Sequence, residues 1–166
     1  MIVLVASMLI AAGAWLRVEG VIPFSMQSFA VLLIAGVLGG KRAFAAVVAY
    51  LIEGAAGLPV FAGGPAGLIH FSGSTTGYLV GFAIAAYVIG STIERRKPQS
   101  GITLSIVFFI GHIIILGAGL LWLVPFVGIQ GAFAAGVAPF LLTAVLKSVL
   151  AAMAVPPAMR IIGRIA

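Results

Sequence analysis

A chain of 166 residues that is 63% hydrophobic and 7% charged, with a mean hydropathy of +1.32, has too little polar surface for a water-soluble domain, in which about 25% of residues are charged. The net charge of +6 sits in short clusters (Lys41-Arg42, Arg95-Arg96-Lys97, Arg160 and Arg164), each following an apolar segment, which is the pattern of cytoplasmic membrane loops and excludes a nucleic-acid patch. The lack of cysteine excludes disulfides, thiol chemistry and Cys-ligated metal, and the two histidines, His70 and His112, lie on different segments, so neither a metal nor a cofactor is expected.

The length leaves room for about six helices of ~20 residues. The expected fold is all-α: a polytopic membrane protein with six transmembrane helices in one domain, residues 1–166, embedded in the lipid bilayer. The first apolar run has no basic leader and no clear small-residue cleavage site, so it reads as a helix and not a signal peptide.

Helix 1 is predicted over Ile2–Val18, with Arg17 and Glu19 at its far end. Ser7 and Ala11, four residues apart, are a small pair over which another backbone can approach closely. A connection, Gly20–Ser25, carries Pro23 and leads to a short helix 2, Met26–Gly39. Gln27 at its start reads either as a polar residue at the membrane interface or as a ligand contact. Gly39-Gly40-Lys41-Arg42 is a basic turn and not a phosphate loop, because Ala35 stands where the first Gly belongs and Arg42 follows the Lys. The chain is therefore not expected to hydrolyse nucleotide by itself.

Helix 3, Ala43–Gly57, carries Glu53 about ten residues beyond the basic turn. A rise of ~15 Å over that distance places it near the middle of a ~30 Å hydrocarbon core. Gly54, Gly57 and Pro59 then disrupt the apolar run, and the irregular stretch Val60–Thr76 follows, with Gly63, Gly64, Gly67, Gly73, Pro65 and His70. Broken backbone at membrane depth is tolerated only where protein buries it or where it lines a cavity. Together with an intramembrane acid it points to a binding site.

Helix 4 is predicted over Gly77–Glu94, with Gly77, Gly81 and Ala85 as a close-packing stripe. Arg95–Gly101 is a second basic turn. Helix 5 spans Ile102–Val124, with His112 as a buried packing residue and Trp122 as an interface anchor. Pro125–Gly136 reads as a loop, and helix 6, Val137–Met159, ends around Pro156-Pro157. Lys147 lies near mid-depth in helix 6, beside a small stripe of Ala144, Ser148 and Ala152. Its stem falls well short of the ~15 Å to the interface, so it must be paired or face a cavity. The basic clusters place both termini in the cytoplasm and the loops Gly20–Ser25, Val60–Thr76 and Pro125–Gly136 outside.

Three stretches carry a family resemblance: VIPFSMQSFAVLLIAGVLGGKRAFAAVVAYLIEGAAGLPVFAGG from Val21, GSTTGYLVGF from Gly73, and PFLLTAVLKSVLAA from Pro139. In these the chain resembles the BioY family, the biotin-specific S components of energy-coupling factor (ECF) transporters. The resemblance implies a six-helix substrate-capture subunit of the prokaryotic cytoplasmic membrane that binds biotin near the outer face, with no catalysis of its own. It further implies a transmembrane coupling subunit and two ATPase subunits as partners, docked through the small face of helix 1 around Ser7 and Ala11. Lys147 matches a ligand-site position of the family's helix 6 motif. Thr143 and Ala144 stand where the family usually has Gly-Asp, and Gly73-Ser74-Thr75-Thr76-Gly77-Tyr78 replaces the usual Gly-Pro-Thr-Gly-Gly-Tyr.

Biotin offers two ureido N–H donors, a carbonyl, an apolar ring and a carboxylate, so its pocket needs an acceptor, a donor or cation, and an apolar wall. Glu53 or Gln27 can accept, Lys147 can donate, and Phe61, Phe71 and Tyr78 can form the wall; a Glu53–Lys147 pair would balance the charges without ligand. The alternatives are an S component for another water-soluble vitamin and an intramembrane enzyme. For the latter, His70-Phe71-Ser72-Gly73 superficially matches the Gly-x-Ser-Gly of intramembrane serine proteases, with His112 as base, but His70 occupies the first Gly position. Three acids, far apart, do not suit a Mg²⁺-dependent lipid transferase.

Overall fold

Apolar segments bounded by Gly, Pro and basic residues become six α-helices in the computed structural model, which describes residues 1–18, 24–62, 67–98 and 100–165. Residues 19–23 of the first connection, 63–66 of the second, Gln99 and Ala166 lie outside the described residues. The helices are α1 (Ile2–Trp15), α2 (Gln27–Leu38), α3 (Gly40–Ala55), α4 (Thr76–Arg96), α5 (Gly101–Gly136) and α6 (Ala138–Ile165). A short 3₁₀ turn, Leu68–Ser72, lies within the stretch expected to be wholly irregular. Three helices, α4, α5 and α6, are long and apolar enough to cross a membrane; α1 and α2 are apolar but shorter.

Helix 1 stops at Trp15 and not at Val18, because the chain turns there into a two-residue antiparallel ladder, β1 (Arg17–Val18) with β2 (Phe24–Ser25). The Met26 N–H donates to both Gly13 O and Leu16 O at 3.0 Å, tying the start of α2 to the end of α1. A turn at Gly39 (φ 78°, ψ 173°) joins α2 to α3, a conformation that favours glycine. The first helical N–H of α3, on Gly40, donates to Glu94 Oε2 at 3.1 Å. An acid from the last turn of α4 thus caps the N-terminus of α3, where negative charge is favoured.

Helix 4 packs along α5, α5 along α6, and α2 sits among α3, α4 and α6, while α1 covers α2 and α3. The α4–α5 seam is close because of glycine. A Cβ at Gly77 would lie 2.3 Å from Trp122 Cβ and one at Gly81 would lie 2.9 Å from the Ile115 Cα. Tyr50, Phe108, Ile10, Leu32 and Ile89 are among the fully buried side chains at the centre. Large apolar side chains such as Met8, Leu121, Leu142 and Met153 are exposed, as lipid-facing surfaces require.

Two further expectations from sequence are corrected. Residues Pro125–Gly136 are not a loop: α5 continues through Pro125, breaks at Gly128 (φ 70°, ψ 169°) and resumes to Gly136. Helix 6 does not end near Met159 but passes through Pro156 and Pro157 and runs to Ile165. Where water is scarce, each backbone group needs an internal partner, so a helix broken by Gly or Pro re-forms when the geometry allows.

Candidate functional site

Between α2, α4, α5, α6 and the 3₁₀ turn lies a cavity of about 80 Å³. A water needs roughly 10–15 Å³ on the same measure, so the space is substantial. Its apolar walls are Leu79 and Phe82 from α4, Ile115 and Leu116 from α5, and Phe140 and Ala144 from α6. Its polar groups come from elements far apart in sequence: Ser25, Gln27 and Ser28; His70 and Thr75; His112; Thr143 and Lys147. An apolar cavity with a few convergent polar groups is the usual form of a small-molecule site.

Lys147 is 6% exposed. It lies on the cavity face of α6, and its Nζ donates to Ser25 O at 2.7 Å and to Ser28 Oγ at 3.3 Å. The start of α2 is thereby held to the middle of α6. Gln27 also lines the cavity, and its amide is built into a relay. Nε2 donates to Tyr50 Oη, Tyr50 Oη donates to Val60 O at 3.1 Å, and Oε1 accepts from Ser25 Oγ at 2.9 Å. Tyr78 presents its ring to the cavity while its hydroxyl donates to Gly136 O at 2.7 Å. The ring lies so close to α5 that a Cβ on Gly119 would fall 2.2 Å from its Cε1.

Phe61 and Phe71 do not line the cavity but stand one layer behind it. Phe61 stacks on His70 (centroids 4.3 Å apart, planes at 17°) and meets Tyr50 and Phe71 edge-on at 5.4 and 5.5 Å. The histidine, not the phenylalanines, is the member of this aromatic block that reaches the cavity.

Glu53 is also outside the lining. Its Oε1 accepts from Ser7 Oγ at 2.7 Å, across the α1–α3 interface, and it makes no ion pair with Lys147. The expected Glu53–Lys147 pair is therefore replaced by two separate polar contacts. Ser7 is fully buried and Ala11 is 8% exposed, so the small face of α1 packs inside the bundle. An apolar bundle must bury its few polar side chains against one another, and a small face is the natural place for a neighbouring helix.

Sequence reasoning missed Ser25, Ser28, Thr75, Thr143 and Tyr50, and read His112 first as a packing residue, with a role at a site only in second place. His112 is 3% exposed and lines the cavity. Its Nδ1 lies 3.2 Å from Phe108 O and 3.1 Å from Ser148 Oγ, and its Nε2 is buried with no hydrogen-bond partner among the described residues. The available signal was the spacing of Ser148, one residue past Lys147 and in the small stripe of helix 6.

The BioY family model matches residues 1–164. The chain is 38% identical over 141 residues to the probable biotin transporter BioY of Pyrococcus horikoshii, covering 84% of this chain and 83% of that one. It is 39% identical over 146 residues to the biotin transporter BioY of Thermotoga maritima, covering 87% and 86%. Its fold is that of a crystal structure described as the S-component for biotin from an ECF-type ABC transporter, with a TM-score of 0.83 at 24% identity over 93% of this chain and 86% of that one. With its whole described bundle and nearly its full length matched, the chain belongs to the BioY family.

Proposed function

We propose that this chain is the substrate-capture (S) subunit of an ECF-type transporter, a membrane protein that binds biotin from the outside for uptake and carries out no catalysis. The observation that carries the reading is the cavity, which joins a buried lysine and convergent hydrogen-bonding groups to an apolar wall. That combination suits a ligand with a polar ring, an apolar ring and an anionic tail. The relatives at 38% and 39% identity carry the name of biotin transporter, which favours biotin over another vitamin and a transporter over an intramembrane enzyme.

In this reading Lys147 gives a charged donor to a ligand oxygen, Gln27 adds hydrogen-bonding capacity at the α2 end, and Tyr78 supplies an aromatic wall. The chain has no phosphate loop, so concentrative uptake draws on a transmembrane coupling subunit and two ATPase subunits. The whole chain acts as one domain in the prokaryotic cytoplasmic membrane and crosses it six times. At 14, 12 and 16 residues, α1, α2 and α3 fall short of the ~20 residues a full crossing needs. Their crossings are completed by the adjoining extended and 3₁₀ segments, which the bundle can shelter.

The test is calorimetric titration of the detergent-purified protein with biotin and with a panel of other water-soluble vitamins. Saturable 1:1 binding of biotin, with no response to the rest, supports the reading. Tight binding of a different vitamin would replace biotin, and turnover of any of them would replace the transporter reading.

A further inference from the structure

The hydrogen-bond partners of His112 fix which of its nitrogens carries the proton. Phe108 O, 3.2 Å from Nδ1, is a carbonyl and can only accept. Ser148 Oγ, 3.1 Å from the same nitrogen, donates its single proton to Ala144 O at 2.6 Å, one turn back on α6. It has only lone pairs left to offer to the histidine. Both neighbours of Nδ1 are therefore acceptors, so Nδ1 holds the hydrogen. A neutral imidazole has one proton, which leaves Nε2 as a bare acceptor. An imidazolium would instead direct a second N–H to a buried position where the described residues offer no acceptor.

Nε2 is buried, has no partner among the described residues, and belongs to a side chain on the cavity wall. A buried acceptor without a donor is costly, and a ligand N–H would relieve that cost. Lys147 lines the same cavity from one residue before Ser148 on α6, so the side chain that carries this acceptor and a charged donor belong to one wall. We propose that His112, held as the Nδ1–H tautomer by Phe108 and Ser148, is a ligand-binding residue whose Nε2 accepts a hydrogen bond from a ureido N–H of biotin. This assignment rests on the proposed biotin reading. Ser148 is the positioning residue, acting only through the imidazole.

The experiment compares wild type, His112→Ala and His112→Gln, each shown to be monodisperse by gel filtration, in titrations with biotin and with biotins methylated at either ureido nitrogen. Wild type is expected to bind one of the methylated biotins about ten-fold or more weakly than biotin, the size of effect that an unpaired buried hydrogen-bonding group produces. His112→Ala should bind biotin more weakly by a similar factor and should no longer discriminate against that analogue, since both the acceptor and the steric conflict are gone. His112→Gln, whose amide oxygen can reach near the Nε2 position, should recover part of the affinity. An unchanged preference for biotin in His112→Ala overturns the contact. Nitrogen-15 NMR of ring-labelled wild type tests the tautomer without any variant: Nδ1 should read as protonated and Nε2 as bare, with Nε2 moving when biotin is added. A protonated Nε2 in the ligand-free protein overturns the assignment even if biotin binds. No binding of biotin by wild type overturns the ligand reading, and the contact with it.

Discussion

At the scale of single residues, Lys147 and Glu53 show how two ionisable groups expected from residue counting at similar depth part company. Lys147 Nζ sits on the cavity, 2.7 Å from Ser25 O, whereas Glu53 is committed to Ser7 at the α1–α3 interface. Lys147→Ala is expected to weaken biotin binding by about ten- to 150-fold, the equivalent of losing a hydrogen bond to a charged group worth roughly 1.5–3 kcal/mol. Lys147→Arg should also weaken it, because a planar fork does not fill the place of a compact ammonium. Glu53→Gln should leave affinity near that of wild type, since its amide oxygen can still accept from Ser7. Calorimetric titration of the folded variants decides these, and a large loss in Glu53→Gln would mean that the glutamate acts on the ligand after all. That Lys147 is buried was legible, because a lysine near mid-depth is too short to reach water. That Glu53 turns to α1 was not, since depth along a helix follows from residue count, whereas the direction a side chain faces depends on which neighbour is there. The relay from Gln27 through Tyr50 to Val60 was hidden for the same reason: its members are 23 and 10 residues apart and meet only in the folded bundle.

Among the elements, the seam between α4 and α5 is where sequence and structure correspond most directly. Small residues four apart mark a face that another backbone can approach, and Gly77, Gly81 and Ala85 lie buried there. Gly81→Ala would place a methyl 2.9 Å from the Ile115 Cα and 3.1 Å from Ala118 Cβ, so helix backbones must separate. The expected cost is on the order of 1–3 kcal/mol, the usual range for overpacking. Gly117→Ala on the facing helix meets nothing within 4 Å and should not destabilise. Thermal unfolding in detergent compares the two, and equal midpoints for them would remove the seam from the account. The break in α5 was only half legible. Pro125 and Gly128 mark a place where a helix is interrupted, but local chemistry does not say whether it resumes. Trp122, read as an interface anchor, has a further role: its Nε1 donates to Gly73 O at 3.0 Å, fastening the segment before α4 to α5. Likewise the Glu94 cap on α3 joins residues 54 apart and has no local signature.

For the whole molecule, the same Glu94 contact bears on how the bundle sits in the membrane. Gly40 N and Glu94 Oε2 are 3.1 Å apart, so the turn that carries Lys41 and Arg42 and the turn that carries Arg95, Arg96 and Lys97 lie at one end of the bundle. All five of these basic side chains are exposed. Under the positive-inside rule, two basic turns at one end of an apolar bundle are expected to face the cytoplasm. Helix 3 leads away from that end and α4 returns to it, so the 3₁₀ turn between them and the segment fastened by Trp122 lie toward the other end. The expected topology has cytoplasmic termini and a cavity approached from outside. Fusions of a reporter that is active only in the cytoplasm, placed after Arg42, after Lys97 and after Ala166, should all be active. A reporter active only outside should report when inserted beside Gly73. Activity of the external reporter after Arg42 or Lys97 would turn the bundle over, and opposite answers at those two sites would contradict the Glu94 contact itself, because two turns held together by a capping carboxylate cannot lie on opposite faces of a membrane.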